Sequence, residues 1–300
     1  MHRALDVQIK TPEQLAKMRS AGLVVAEALA TMKAAVEPGI STGDLDAIAE
    51  KVIRGAGAIP SFKGYQGFPA SICASVNEQI VHGIPSARQV LREGDLISID
   101  CGAILDGWHG DAAITVGVGE TAPELLRMAA VAEEAMWAGI AAAARGVRSG
   151  RGRLTDISYA IQSSIRGEKS ARPAGTDRVR ERPGVRSVTG TRRRYGIVDG
   201  YGGHGIGTEM HQDPHILNHG RPGKGPFLVP GMALAIEPMI TMGSPRTLEL
   251  ADGWTVVSID GSFAAHVEHS IGLFDDGVWV FTAVDGGRER LGDLFTSAAA

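Results

Sequence analysis

The stretch that most constrains the fold is Leu96-Ile-Ser-Ile-Asp100-Cys-Gly-Ala-Ile-Leu-Asp-Gly107-Trp-His-Gly-Asp111-Ala-Ala-Ile-Thr-Val116. Two apolar, β-branched runs flank a glycine-rich middle, and each carries an aspartate where it meets that middle. This pattern reads as two strands joined by a turn. Closing the hairpin brings Asp100 and Asp111 together. Two carboxylates near an interior repel each other and are costly to desolvate unless protons or cations accompany them. The rest of the chain has to supply that compensation.

With 300 residues and 44% hydrophobic content, the chain suits one large α/β domain or two ordinary ones. The 40 glycines and 14 prolines predict many turns. A net charge of −4 exerts no general pull on nucleic acid, so DNA is not an expected partner. Cys73 and Cys101 make no disulfide framework, the N-terminus lacks an apolar signal core, and no run of about 18 apolar residues is present to span a membrane. The expectation is a soluble, cytoplasmic protein without a membrane partner.

Thr11-Pro12-Glu13-Gln14 predicts a helix start with Thr11 as N-cap and Gln14 closing a capping box. Leu15, Met18, Val25 and Leu29 then recur at helical spacing, and the helix should end near Pro38-Gly39. Ser41 to Asp44 opens a second helix with Leu45, Ile48 and Val52 on one face. Residues 122–144 and 154–166 form two more. Strands are expected at 70–76, 80–84, 232–237, 255–259, 264–273 and 278–283. Between Arg166 and Arg194 stand ten Lys/Arg against three acids with few large apolar residues, which reads as an exposed basic insertion. The domain reading is an N-terminal tail at 1–10, a single domain at 11–294 carrying that insertion at about 166–194, and a C-terminal tail at 295–300.

Three further stretches set ionisable residues in apolar or glycine-rich surroundings: Gly202-Gly-His204-Gly-Ile-Gly207 with His211 beyond it, Ala233-Leu-Ala-Ile-Glu237-Pro238, and Ala264-Ala-His266-Val-Glu268-His269. Any one of them has a bland explanation, as a turn aspartate or a hydrogen-bonded core histidine. Five residues in chemically unfavourable settings are harder to explain separately. If Asp100, Asp111, Glu237 and Glu268 converge, their four negative charges balance two divalent cations, with His204 adding a nitrogen donor. Such an oxygen-rich set suits Mn, Fe, Co or Zn in a two-metal hydrolytic site.

At this point the motifs Val76-Asn-Glu, Val81-His-Gly-Ile-Pro85, Asp106-Gly-Trp-His-Gly-Asp111, Gly203-His-Gly-Ile-Gly207, His211-Gln-Asp-Pro214, Ile236-Glu-Pro238 and Glu268-His269 resemble, in order, those of type I methionine aminopeptidases. The likeness covers about residues 11 to 285. It implies the α+β "pita-bread" fold, a curved antiparallel sheet covered by helices. It also implies a dinuclear centre held by Asp100, Asp111, His204, Glu237 and Glu268, with Glu237 exchanging the catalytic proton. His82 and His211 match the family's non-ligand histidines, which contact the substrate and the tetrahedral intermediate. By position, Phe62, Tyr65, Phe68, Cys73, Met210 and Trp254 match the lining of the methionine pocket. The implied substrate is the N-terminal methionine of nascent chains with a small second residue, and the basic insertion suggests a ribosome contact. His2, His109, His215, His219 and His266 receive no role.

Two rival readings remain. An Xaa-Pro aminopeptidase or prolidase uses a similar metal set, but the usual additional N-terminal domain has no room in the roughly sixty residues before the first motifs. A non-catalytic, RNA- or ribosome-binding relative would keep only the fold, and all five ligand positions being filled argues against it.

Overall fold

The computed structural model describes residues 6–167 and 195–296. Nearly all of the basic insertion and the last four residues of the expected C-terminal tail lie outside the described residues.

The capped helices form as the sequence predicts. Thr11 and Gln14 close a reciprocal capping box on α1 (Pro12–Ala35), and Ser41 and Asp44 do the same for α2 (Thr42–Gly55). The buried face of α2 is Leu45, Ala49 and Ile53, with Ile48 and Val52 half-buried beside it. The other two long helices are α3 (Pro123–Ser149) and α4 (Leu154–Arg166).

A nine-stranded antiparallel sheet, curled into a half-barrel, runs in the order β1 (Ile59–Pro60), β4 (Leu96–Leu105), β5 (Trp108–Gly117), β14 (Glu268–Phe274), β9 (Ala233–Ile236), β7 (Gly202–Gly205) and β8 (Gln212–Leu217). To this, β2 (Ile72–Val76) adds on β4 and β15 (Gly277–Val280) on β14. Two small sheets complete the fold. One orders β13 (Ala264–His266), β10 (Met239–Thr241) and β6 (Gly196–Ile197). The other orders β11 (Thr247–Glu249), β12 (Val256–Ser258) and β3 (Gln79–Val81).

The helices cover one face of the main sheet in two pairs. Val25, Leu29, Leu45 and Ile53 pack with Ile97, Ile99, Cys101 and Ala112, while Met128, Ile140, Ile157 and Ile161 pack with Leu234, Ile236 and Ile271. Side chains alternate across a strand. The neighbours of these core residues, Asp100, Asp111 and Glu268, therefore project from the opposite, concave face. Cys73 and Cys101 are buried free thiols.

Two expectations are corrected. The glycine-rich middle of the opening hairpin is not the turn. Both strands run through it, paired from Leu96↔Gly117 to Leu105↔Trp108, and the turn is only Asp106-Gly107, with φ of 51° and 81°. Gly110 stands in the strand because α1 presses on it: a Cβ there would lie 2.7 Å from the Gly22 amide nitrogen. The expected strand 264–273 is also divided. It breaks at Val267, with β13 in a small sheet and β14 in the main one. Its neighbour breaks at Glu237-Pro238 between β9 and β10, and the Val267 amide donates to the Pro238 carbonyl at 3.4 Å. Two adjacent strands thus change sheets at one level, with Glu237 and Glu268 at the crossing.

Residues 6–10, expected in a tail, run against the domain: the Asp6 amide donates to Asp213 Oδ2 at 3.2 Å, the Lys10 amide donates to the Gly231 carbonyl at 2.8 Å, and Lys10 is buried.

Gly110→Ala should force α1 away from β5 and cost about 1–3 kcal/mol by overpacking. The expected readout is a lower urea midpoint with an unchanged m-value.

Candidate active site

Register and sheet crossing together assemble the acidic cluster. Asp100 pairs with Ala113 and Gly102 with Asp111, so the two aspartates are diagonal neighbours on one face. Glu268 also pairs with Ala113, from the other side of β5. On β7, His204 pairs with Ala235, two residues before Glu237. The glycines around His204 let β7 lie close between β8 and β9, since a Cβ on Gly203 or Gly205 would run into the backbone of Ala235 or Asp213.

His204 Nε2 is 3.5 Å from Glu237 Oε1, and His266 Nε2 is 3.3 Å from Glu237 Oε2. His204 Nδ1 lies 3.0 Å from the Gly205 carbonyl. It must carry the proton to donate there, which leaves Nε2 as a lone-pair donor toward the cluster. Two groups of ligand atoms lie within 4.8 Å of one another: Asp111, His204 and Glu268, and then Glu237, His266 and Glu268. Glu268 belongs to both.

The electrostatics are unfavourable without a counter-charge. Asp111, Glu237 and Glu268 are buried, Asp100 is half-buried, and among the described residues no Lys or Arg forms an ion pair with any of them. Asp100 Oδ1, Asp111 Oδ1 and Glu268 Oε1 have no hydrogen-bond partner. Burial pushes the Asp100 carboxyl up to about 7. Burial and then the neighbouring carboxylates hold Asp111 and Glu268 well above the usual carboxylate range, and burial does the same to Glu237. Desolvation lowers His204 to about 3 and keeps it neutral. Orphaned carboxylate oxygens facing a neutral imidazole fit divalent cations, which take oxygen and nitrogen donors together.

The cluster forms one end of a cleft of about 890 Å³, which all thirteen expected site residues line. At the other end, Phe62, Phe68, Cys73 and Met210 form a buried apolar cluster against Tyr65 and Trp254. The Phe68 and Trp254 rings meet edge-on at 5.0 Å. Between the two ends stand His82 and His211. His82 has φ +59°, a conformation that histidine tolerates better than most residues, and its ring lies 6.1 Å from Trp254. The His211 ring packs 4.4 Å from His204, and its Nδ1 is 2.9 Å from the Tyr65 hydroxyl. Burial lowers both histidines, His82 to about 4.

His266, given no role from sequence, is corrected by its position: it is buried beside Glu237 and lines the cleft. The signal was its two-residue spacing from Glu268, which in a strand puts both on one face. Gln8 and Tyr201, also unforeseen, line the cleft. His109 bonds Ser61 Oγ at 3.0 Å and His219 bonds Asp199 at 3.1 Å, as structural histidines do.

The model of metallopeptidase family M24 matches residues 16–273, and the chain belongs to that family. It is 51% identical over 269 residues to methionine aminopeptidase 1 of Mycobacterium tuberculosis, covering 90% of this chain and 92% of that protein. To methionine aminopeptidase 1 of Bacillus subtilis it is 45% identical, covering 92% and 98%. The crystal structure of methionine aminopeptidase from Rickettsia prowazekii superposes with a TM-score of 0.80 at 37% identity, over 92% of this chain and 100% of that one. Within the family, the chain's place is among the methionine aminopeptidases.

Raised carboxyl pKa values mean that the folded, metal-free protein holds protons that the unfolded chain releases. The lowered histidines, His82 and His204 among them, oppose this while the unfolded chain still protonates them, and that opposition fades as pH rises past the ordinary histidine range. The carboxyls, Asp100 held at about 7 and the others well above the usual range, then dominate, and stability falls as pH rises through 7 and beyond. Thermal unfolding in chelator should show that decline, and saturating Mn²⁺ or Co²⁺ should abolish it. Asp111→Asn should flatten the decline in chelator and shrink the gain from metal.

Proposed function

We propose that this chain, as a single catalytic domain over residues 11–294, removes the initiator methionine from nascent polypeptides whose second residue is small. The observation that carries the reading is one cleft with a cation-seeking carboxylate cluster at one end and a pocket of aromatic and sulfur-bearing side chains at the other. The pocket suits a flexible thioether. Asp100, Asp111, His204, Glu237 and Glu268 would hold two divalent ions, Co, Mn, Fe or Zn. When bound, such ions polarise the scissile carbonyl and make water nucleophilic at neutral pH.

The chain's own groups supply the rest. Glu237, buried where the two sheets cross, takes the proton of the attacking water and passes it to the leaving amine. The Tyr65 hydroxyl stands 2.9 Å from His211 Nδ1; with that hydroxyl as donor, the neutral ring carries its proton on Nε2 and donates to the developing oxyanion. Neutral His82, beside Trp254, contacts the substrate backbone at the mouth of the methionine pocket. Nascent chains as substrate make the cytoplasm the place of action. Among the described residues, no helix is long and apolar enough to cross a membrane.

Glu237→Gln should lower kcat/KM on Met-Ala-Ser by roughly 10²–10⁴-fold. Wild type should leave Ala-Pro-Ala, the prolidase-type substrate, uncleaved. Retained hydrolysis in Glu237→Gln would refute the assigned chemistry, and a metal-replete wild type inert toward Met-Ala-Ser would favour a binding role.

The basic insertion supports a contact with ribosomal RNA, because ten Lys/Arg in a short segment bind phosphates in a salt-dependent way. Deleting residues 168–193 should weaken co-sedimentation with ribosomes at low salt and matter less at high salt. Peptide hydrolysis should be unchanged.

A further inference from the structure

His266 is two residues from Glu268 and is only 2% exposed, yet its Nε2 has no hydrogen-bond partner. That nitrogen is 3.3 Å from Glu237 Oε2 without forming an aligned hydrogen bond. Donor atoms around one zinc-like ion, each about 2.0–2.2 Å from it, stand roughly 3–3.5 Å apart. The separation falls in the range of two ligands of one cation.

The backbone of His266 is held in place. Its amide is 3.1 Å from both Ser98 Oγ and Thr115 Oγ1, and its carbonyl accepts from Thr115 Oγ1 at 2.6 Å. Those hydroxyls project from β4 and β5, the two strands that carry Asp100 and Asp111. His266 is thus tied through its backbone to the same hairpin as the aspartates, and its Nε2 stands 3.3 Å from Glu237 at the point where β13 gives way to β14.

We propose that His266 Nε2 is an additional protein ligand of the metal centre, completing with Glu237 and Glu268 the coordination of one divalent cation. The inference rests on the metal-dependent reading above. Each of the two candidate ligand groups that share Glu268 then contains an imidazole, His204 beside Asp111 and His266 beside Glu237, while Glu237 Oε1 also lies 3.5 Å from His204. An imidazole in each group shifts preference from Mn²⁺, which oxygen donors serve, toward ions that favour nitrogen, such as Co²⁺ and Zn²⁺.

The test uses the full chain. Metal-free wild type and His266→Gln are titrated with Co²⁺, Zn²⁺ and Mn²⁺ by calorimetry, and pulsed EPR of the Mn²⁺-loaded proteins counts the coordinated imidazole nitrogens. The expected result is two such nitrogens in wild type and one in His266→Gln, with Co²⁺ and Zn²⁺ affinity reduced about 10–100-fold and Mn²⁺ affinity reduced less. One nitrogen in wild type would overturn the proposal without reference to any variant, as would equal affinities in both proteins. If wild type bound none of the three ions, the metal-dependent reading itself would fail, which is a different outcome.

Discussion

Four carboxylates in the concave face of a protein sheet, with no lysine or arginine paired to any of them among the described residues, form the constraint on which the structure depends. Left charged and unpaired they would oppose folding, and protonated they would be poor ligands. The fold therefore keeps them where cations can resolve the conflict. Every larger feature serves that placement. The helices take the opposite face of the sheet, which leaves the concave side for chemistry. The strand pairs that carry Glu237 and Glu268 change sheets together, so both acids arrive at the cluster from breaks in regular structure.

The hydrogen bonds around the cluster belong mostly to its supports. Ser270 Oγ donates to the Asp111 carbonyl at 2.7 Å and accepts from the Asp111 amide at 3.2 Å, and Asn218 donates to the Glu237 carbonyl at 3.0 Å. His269, next to Glu268, turns to the helix side, where its ring meets Trp137 at 5.2 Å and its Nδ1 meets Thr282 at 2.8 Å. The strand ends are thus pinned through their backbones while several carboxylate oxygens stay unsatisfied. That division, rigid support and hungry donor atoms, is what a preorganised metal site requires.

The cleft also divides by polarity along its length. Its apolar end is built by the loop from Phe62 to Phe68 and by Met210, elements distant in sequence that meet only because β2 lies on β4 and β7 pairs with β8. Tyr65 links the two ends. Its ring belongs to the apolar pocket, and its hydroxyl orients His211, whose ring rests on His204. A single loop thereby couples the apolar pocket to the imidazole that rests on His204.

Much of this was legible in the chain. The capping residues Thr11, Gln14, Ser41 and Asp44 announce their helices because local hydrogen bonding decides a helix start. The five cluster residues stood out because each breaks the local pattern of burial. What could not be read were features that depend on distant partners. The glycines at 102 and 110 looked like turn residues, whereas Gly110 is needed because a helix eighty or so residues earlier presses against it. The break at Val267 was invisible, since an apolar run reads the same whether it continues in one sheet or passes to another. For that reason His266 seemed idle. The sequence determined which groups are too costly to bury alone. Only the tertiary structure decided which of them come together, because that depends on strand register and sheet crossing, which are settled by packing across the whole domain.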